Sequence, residues 1–138
     1  MNDGPVYIVD DDEDDREFIK ELWKELDYRN ELIFFDDGEA VLKHLKSDST
    51  VPFLILCDVN IPRIDGFELK KRLYEDDSLN YKSIPFVFWS SQASKEQIKK
   101  SYDLGGNGFF VKESTMSGLK ASLVEIMQYW LKSKVPVE

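Results

Sequence analysis

The sequence predicts an α/β fold: a doubly wound sheet of five parallel strands flanked by five helices. Three observations carry that expectation. Short apolar runs alternate five times with amphipathic segments along the 138 residues, the rhythm of strand–helix units. The longest of these runs are continuously apolar, as in strands covered on both faces. Several end at an acidic or hydroxyl residue, and in sheets joined by right-handed crossovers the carboxyl ends of the strands frame the binding crevice.

Residues 5–9 (PVYIV) read as a buried strand that ends at an acidic cluster. Ile19, Leu22, Trp23 and Leu26 then fall on one helical stripe. Asp12 is placed to cap that helix, and Glu13, Asp14 and Asp15 suit the positive end of its dipole. Residues 32–35 form a second short strand. Asp36, Asp37 and Gly38 make a turn, after which Val41, Leu42 and Leu45 begin a second stripe. Residues 52–57 (PFLILC) are a third strand, and residues 66–75 a helix. Residues 85–89 (PFVFW) are a fourth strand, ending at Ser90 and Ser91. Ser94 caps a helix expected to run to about residue 104, where Gly105 and Gly106 end it. Residues 109–111 form the last strand before Lys112, and Leu119, Leu123, Ile126, Met127 and Trp130 give the last helix a broad apolar face.

Size and composition narrow the function. The length suits a single domain over residues 1–138, with its core at about 4–132 and a short C-terminal tail. No output domain is expected after the last helix. A formal net charge of −9 and the lack of a long basic run argue against direct binding to nucleic acid or an anionic membrane. Lys70-Lys71-Arg72 and Lys99-Lys100 read as solvated helix faces. No apolar stretch reaches the length of a membrane span, and no secretory leader is visible. With the single cysteine, Cys57, unable to form an internal disulfide, a cytoplasmic location is the expectation. Cys57 reads as a small buried packer and His44 as a solvated side chain on the second helix.

The strand ends carry the chemistry. Asp10 and Asp11 follow the first strand, Asp58 the third with Asn60 two residues on, Ser90 and Ser91 the fourth, and Lys112 the fifth. Three carboxylates brought close together repel one another and call for a cation. Oxygen ligands of this kind suit Mg²⁺, which keeps several waters and bridges to phosphate. A phosphoryl group at such an edge meets a metal, an ammonium and a hydroxyl donor, which is most of what phosphoryl transfer requires.

The segments at residues 9–15 (VDDDEDD), 56–66 (LCDVNIPRIDG), 85–91 (PFVFWSS) and 106–112 (GNGFFVK) resemble the signature blocks of response-regulator receiver domains, in order and spacing across essentially the whole chain. The resemblance implies a stand-alone CheY-like regulator with a flavodoxin-like sheet of order 2-1-3-4-5. It implies Asp58 as phosphoacceptor. It implies Mg²⁺ held by Asp11, Asp58 and the Asn60 backbone carbonyl, with Asp10 acting mainly through water. Ser90, Ser91 and Lys112 take the phosphoryl-binding positions, Ser90 and Phe109 the switch positions, and Pro62, Asp65 and Gly66 the turn after the acceptor strand. One residue departs from the family pattern. Proline usually follows the lysine, often in a cis peptide, whereas Glu113 stands here. A cis bond before a non-proline residue costs about 3 kcal/mol, so the loop behind Lys112 is expected to be trans or differently shaped.

The implied function is a phosphorylation-dependent switch of a two-component or phosphorelay system. Its donor would be a sensor histidine kinase or a histidine phosphotransfer protein. Its output would be a contact with an unidentified downstream protein or a homodimer through the last helix. It would not be an enzyme beyond its own phosphorylation and slow autodephosphorylation. The alternative is a pseudo-receiver, a binding module that is never phosphorylated, to which Glu113 lends support. A phosphohydrolase fits less well, because such enzymes place a second acid where Asn60 stands.

Overall fold

The computed structural model describes residues 3–47, 50–76 and 83–135. The last residues of the expected tail, 136–138, lie outside this set. The elements follow the chain as β1 (Val6–Val9), α1 (Glu13–Leu26), β2 (Leu32–Phe35), α2 (Gly38–Ser47), β3 (Leu54–Asp58), α3 (Gly66–Glu75), β4 (Phe86–Ser90), α4 (Lys95–Asp103), β5 (Phe109–Val111) and α5 (Met116–Lys132). All four strand pairings are parallel, in the order β2-β1-β3-β4-β5. This is the doubly wound α/β sheet that the alternating pattern predicts.

The continuous apolar strands are explained by two separate cores, one on each face of the sheet. Successive side chains of a strand point to opposite faces. Tyr7, Val9, Ile55, Cys57, Phe86 and Phe88 pack with Val41, Leu45, Leu69 and Leu73 of α2 and α3. Val6, Ile8, Leu54, Leu56, Val87 and Trp89 pack with Ile19 and Leu22 of α1 and Leu119, Leu123, Ile126 and Met127 of α5. A strand with a core on both sides has no position for a polar residue until it reaches the sheet edge.

Local chemistry sets the helix starts. The side chains of Asp12, Asp65, Ser94 and Thr115 each accept a bond from the backbone N–H three residues on, satisfying a donor that the first turn leaves open. Gly105, at φ +84, takes the left-handed turn after α4. Three expected strands begin later than their apolar runs, at Val6 rather than 5, at Leu54 rather than 52 and at Phe86 rather than 85. Pro5, Pro52 and Pro85 have no N–H to donate to a ladder. β3 and β4 reach further at their ends, because Asp58 pairs with Trp89 and Ser90 with Val111.

Two side chains depart from the sequence reading. Lys70 is not part of a solvated face: it is 4% exposed, with Nζ 5.5 Å from the Tyr74 ring centroid and 5.9 Å from that of Phe86. Helical spacing places it beside Leu69 and Leu73 against the sheet, and its aliphatic stem fills space there. His44 is half-buried and meets the rings of Tyr7 and Phe35 edge-on, at 5.6 and 5.4 Å. It sits one residue before Leu45 on the inward face of α2, where an aromatic ring packs well.

Candidate functional site

The carboxyl edge of the sheet gathers charge from four elements. Asp10 follows β1 and is fully buried. Its Oδ1 accepts the Asp12 N–H at 2.9 Å, and its Oδ2 accepts from Lys112 Nζ at 3.0 Å. Asp58, the last residue of β3, is built in the same way. Its Oδ1 accepts the Asn60 N–H at 3.1 Å, and its Oδ2 accepts from Lys112 Nζ at 2.7 Å. In each carboxylate one oxygen is fixed by a backbone turn and the other faces the shared ammonium. Lys112 follows β5 and is anchored by its N–H to the Ser90 carbonyl at 2.8 Å.

A third carboxylate reaches the same ammonium. Asp15 Oδ2 lies 2.9 Å from Lys112 Nζ. Asp15 stands in the first turn of α1, and its N–H is bonded to the Asp12 cap at 3.1 Å. From the sheet side the Trp89 ring lies beneath the ammonium, 5.5 Å from Nζ to the ring centroid. Sequence reasoning gives Asp15 only a place in the first turn of α1, and Trp89 a core position adjoining Ser90. Asp15 had a sufficient local explanation as a first-turn acid. Trp89 could have been found from pleat alternation, which puts it on the α1–α5 side of β4.

The electrostatics follow from this crowding. Burial pushes the Asp10 carboxyl up to about 6, against the lowering influence of Lys112 and the Asp12 amide, and the Asp58 charge adds to the rise. Burial works against the Lys112 ammonium. The hydrogen bond to Asp58, the charges of Asp10 and Asp58 and the bond to Asp15 outweigh it and hold the group above its ordinary 10.5. Burial also pushes the neighbouring Cys57 thiol up.

Oxygens of Asp10, Asp11 and Asp58 lie within 4.8 Å of one another. Asp11 is exposed, so this trio opens to solvent on one side. One ammonium against these three acids and Asp15 leaves an excess of negative charge. The hard oxygen donors fit a divalent cation of the Mg²⁺ or Mn²⁺ kind.

The other expected positions are placed as follows. Asn60 is exposed and gives its N–H to Asp58. Ser90 is fully buried at the end of β4, its Oγ accepting the Gln92 N–H at 3.1 Å, and Ser91 is exposed. Phe109 is half-buried beside Phe88 and packs against the α2–α3 core. Asp65 caps α3, and Pro62 is exposed. No peptide bond among the described residues is cis, so the Lys112–Glu113 bond is trans, and Lys112 nevertheless reaches Asp58.

Gly66 is where the acceptor strand and α3 meet. Its N–H donates to the Val59 carbonyl at 2.9 Å, and a Cβ there would lie 2.6 Å from the Asp58 carbonyl oxygen. Arg63, in the same loop, adopts φ +67 and donates from Nε to Asp37 at 3.2 Å.

Comparison with known proteins agrees with this geometry. The model of the response regulator receiver domain matches residues 6–124. The chemotaxis protein CheY-3 of Vibrio cholerae is 32% identical over 123 residues, 89% of this chain and 91% of that protein. The response regulator Rcp1 of Synechocystis is 28% identical over 133 residues, 93% and 89% of the two chains, and the crystal structure of its Mn²⁺-bound form superimposes with a TM-score of 0.81, at 27% identity over 96% of this chain and 98% of that one. The phosphorylated cyanobacterial phytochrome response regulator RcpA gives 0.86, at 28% identity over 96% of this chain and 98% of that one. With the fold, the strand-edge acids and these likenesses in agreement, the chain belongs to the response regulator receiver domain family.

Proposed function

We propose that the protein is a single receiver unit switched by phosphorylation of Asp58, with Mg²⁺ held by Asp11, Asp58 and the Asn60 carbonyl and with Asp10 bordering the ion. The observation that carries this reading is the contact of Lys112 Nζ with Asp58 Oδ2 at 2.7 Å, beside acidic oxygens spaced for a cation. Bound Mg²⁺ would supply positive charge to the oxygens of the incoming phosphoryl group. An Asp58 oxygen attacks the phosphorus of a phosphohistidine on a sensor kinase or phosphotransfer protein. The P–N bond breaks with its electron pair left on the ring nitrogen, the imidazole, already protonated at its other nitrogen, departs as neutral histidine, and an acyl phosphate forms on Asp58. Lys112 passes from the carboxylate to the new phosphoryl oxygens, and Ser90 exchanges its turn bond for one donated to the phosphoryl group. Ser91 leaves room beside it.

Phe109 shares a side of the sheet with Phe86 and Phe88, toward which Ser90 also points by alternation along β4. A movement of the Ser90 loop is therefore passed to Phe109 and to α4, shifting the balance between two pre-existing arrangements. Output then passes to a protein partner in the cytoplasm or to a second copy docked through α5. Trp130 is half-buried against the α1–α5 core, so Tyr129, at 63% exposed, would lead that contact.

The reaction is a single turnover on the protein's own side chain. That Lys112 keeps its seat although Glu113 follows it supports this reading over a binding module that is never phosphorylated. Incubation with acetyl phosphate and Mg²⁺ should add one phosphoryl group to the wild type and none to Asp58→Asn, read by intact-mass spectrometry. Equal labelling of the two proteins would place the acceptor elsewhere.

A further inference from the structure

We propose that Asp15 is a positioning residue for Lys112, holding the ammonium aimed at Asp58 while its other partners change. The proposal rests on Asp58 as acceptor and Lys112 as its cationic partner. Lys112 Nζ touches Asp10, Asp15 and Asp58 at 3.0, 2.9 and 2.7 Å. Two of those carboxylates belong to the trio whose oxygens suit a cation, and one of the two is the reacting group. Both therefore change partners when a metal and a phosphoryl group arrive. Asp15 lies outside that trio, so its contact is the one that can persist throughout.

The seat is built rather than accidental. The Asp12 side chain caps α1 by accepting the Asp15 N–H, which fixes the helix turn that carries the acid. The Lys112 side chain is 11% exposed and that of Asp15 is 26% exposed, so the pair is shielded from most solvent screening. The Trp89 ring adds a second contact, 5.5 Å from the ammonium to its centroid. An ammonium held by a fixed carboxylate and a ring face has little freedom to swing away, and reacting groups lose rate steeply when they are misplaced by an ångström.

The test uses Asp15→Asn, Asp15→Glu and Lys112→Met in the full chain. With acetyl phosphate and saturating Mg²⁺, Asp15→Asn should lower the limiting phosphorylation rate about tenfold, the scale of one lost charge-assisted hydrogen bond. The donor concentration at half-maximal rate should change less than the limiting rate, and Asp15→Glu should recover most of the loss. A second reading comes from the Trp89 indole N–H resonance in metal-free, ¹⁵N-tryptophan-labelled protein, assigned with Trp89→Phe. In Asp15→Asn it should move part of the way to its position in Lys112→Met. An unmoved resonance, or a limiting rate equal to wild type, overturns the role of Asp15. Wild-type phosphorylation of Lys112→Met would instead overturn Lys112 as the partner of Asp58, so the two failures are separate.

Discussion

Lys112 meets partners 102, 97 and 54 residues away in the chain. No local pattern could reveal those contacts. The strand-end rule made Asp10 and Asp58 legible, because each follows an apolar run that must end at the sheet edge. Asp15 was hidden by an adequate local reason for being acidic. Lys70 was misread for the converse reason: two neighbouring cations suggested a solvated patch, while its helical register with Leu69 and Leu73 turned it inward. Burial lowers the Lys70 ammonium from its ordinary 10.5. The charged form is therefore disfavoured in the fold. That penalty is present in full below the lowered folded value and fades as pH rises through it toward 10.5, where the unfolded chain also loses its proton. Lys70→Met should accordingly unfold at a higher urea concentration than the wild type at neutral pH. The gain should shrink as pH approaches 10.5, as measured by urea unfolding at the two ends of that range. A gain independent of pH would mean that packing, not charge, is responsible.

At the scale of elements, starts were easier to read than strand limits. Asp12 and Ser94 were read correctly as caps because a helix N-terminus has a specific chemical need. Strand starts slipped by one or two residues because hydrophobicity marks burial, whereas Pro5, Pro52 and Pro85 have no N–H to donate to a ladder. The junction of β3 and α3 gives the sharpest expectation. Gly66→Ala would drive a Cβ into the Asp58 carbonyl, with the Cys57 Sγ only 3.3 Å away. Backbone cannot yield as a flexible side chain can, so the variant should lose about 2 kcal/mol or more and should also be phosphorylated more slowly, because the acceptor itself is displaced. Thermal unfolding followed by acetyl phosphate labelling separates the two effects. Full stability with normal labelling would show that the helix can slide away from the strand.

At the scale of the whole molecule, alternating continuous strands and amphipathic helices were enough to establish the sheet and its two cores. The strand order came from the family resemblance rather than from any pattern of residues. The charge balance shows itself at this scale too. A chain of net charge −9 that concentrates acids at one edge should be steadied by a cation bound to the native state alone. Its melting temperature should climb by several degrees with the logarithm of Mg²⁺ concentration, by about 2.7 kcal/mol of stability at a hundred times the dissociation constant. Asp11→Asn should lose most of that climb in a scanning calorimetry series, and an undiminished climb would place the ion elsewhere.

The α4 helix is seated lightly on the rest of the molecule. Ser101 is its one buried residue, and the helix is otherwise half or fully exposed. The two cores draw their buried helix residues from the other four helices. Sequence change along α4 is therefore largely uncoupled from whether the chain folds. If the proposed output runs through α4, its surface can change to suit a new partner while the two cores stand unchanged, an evolvable address label on a fixed chassis.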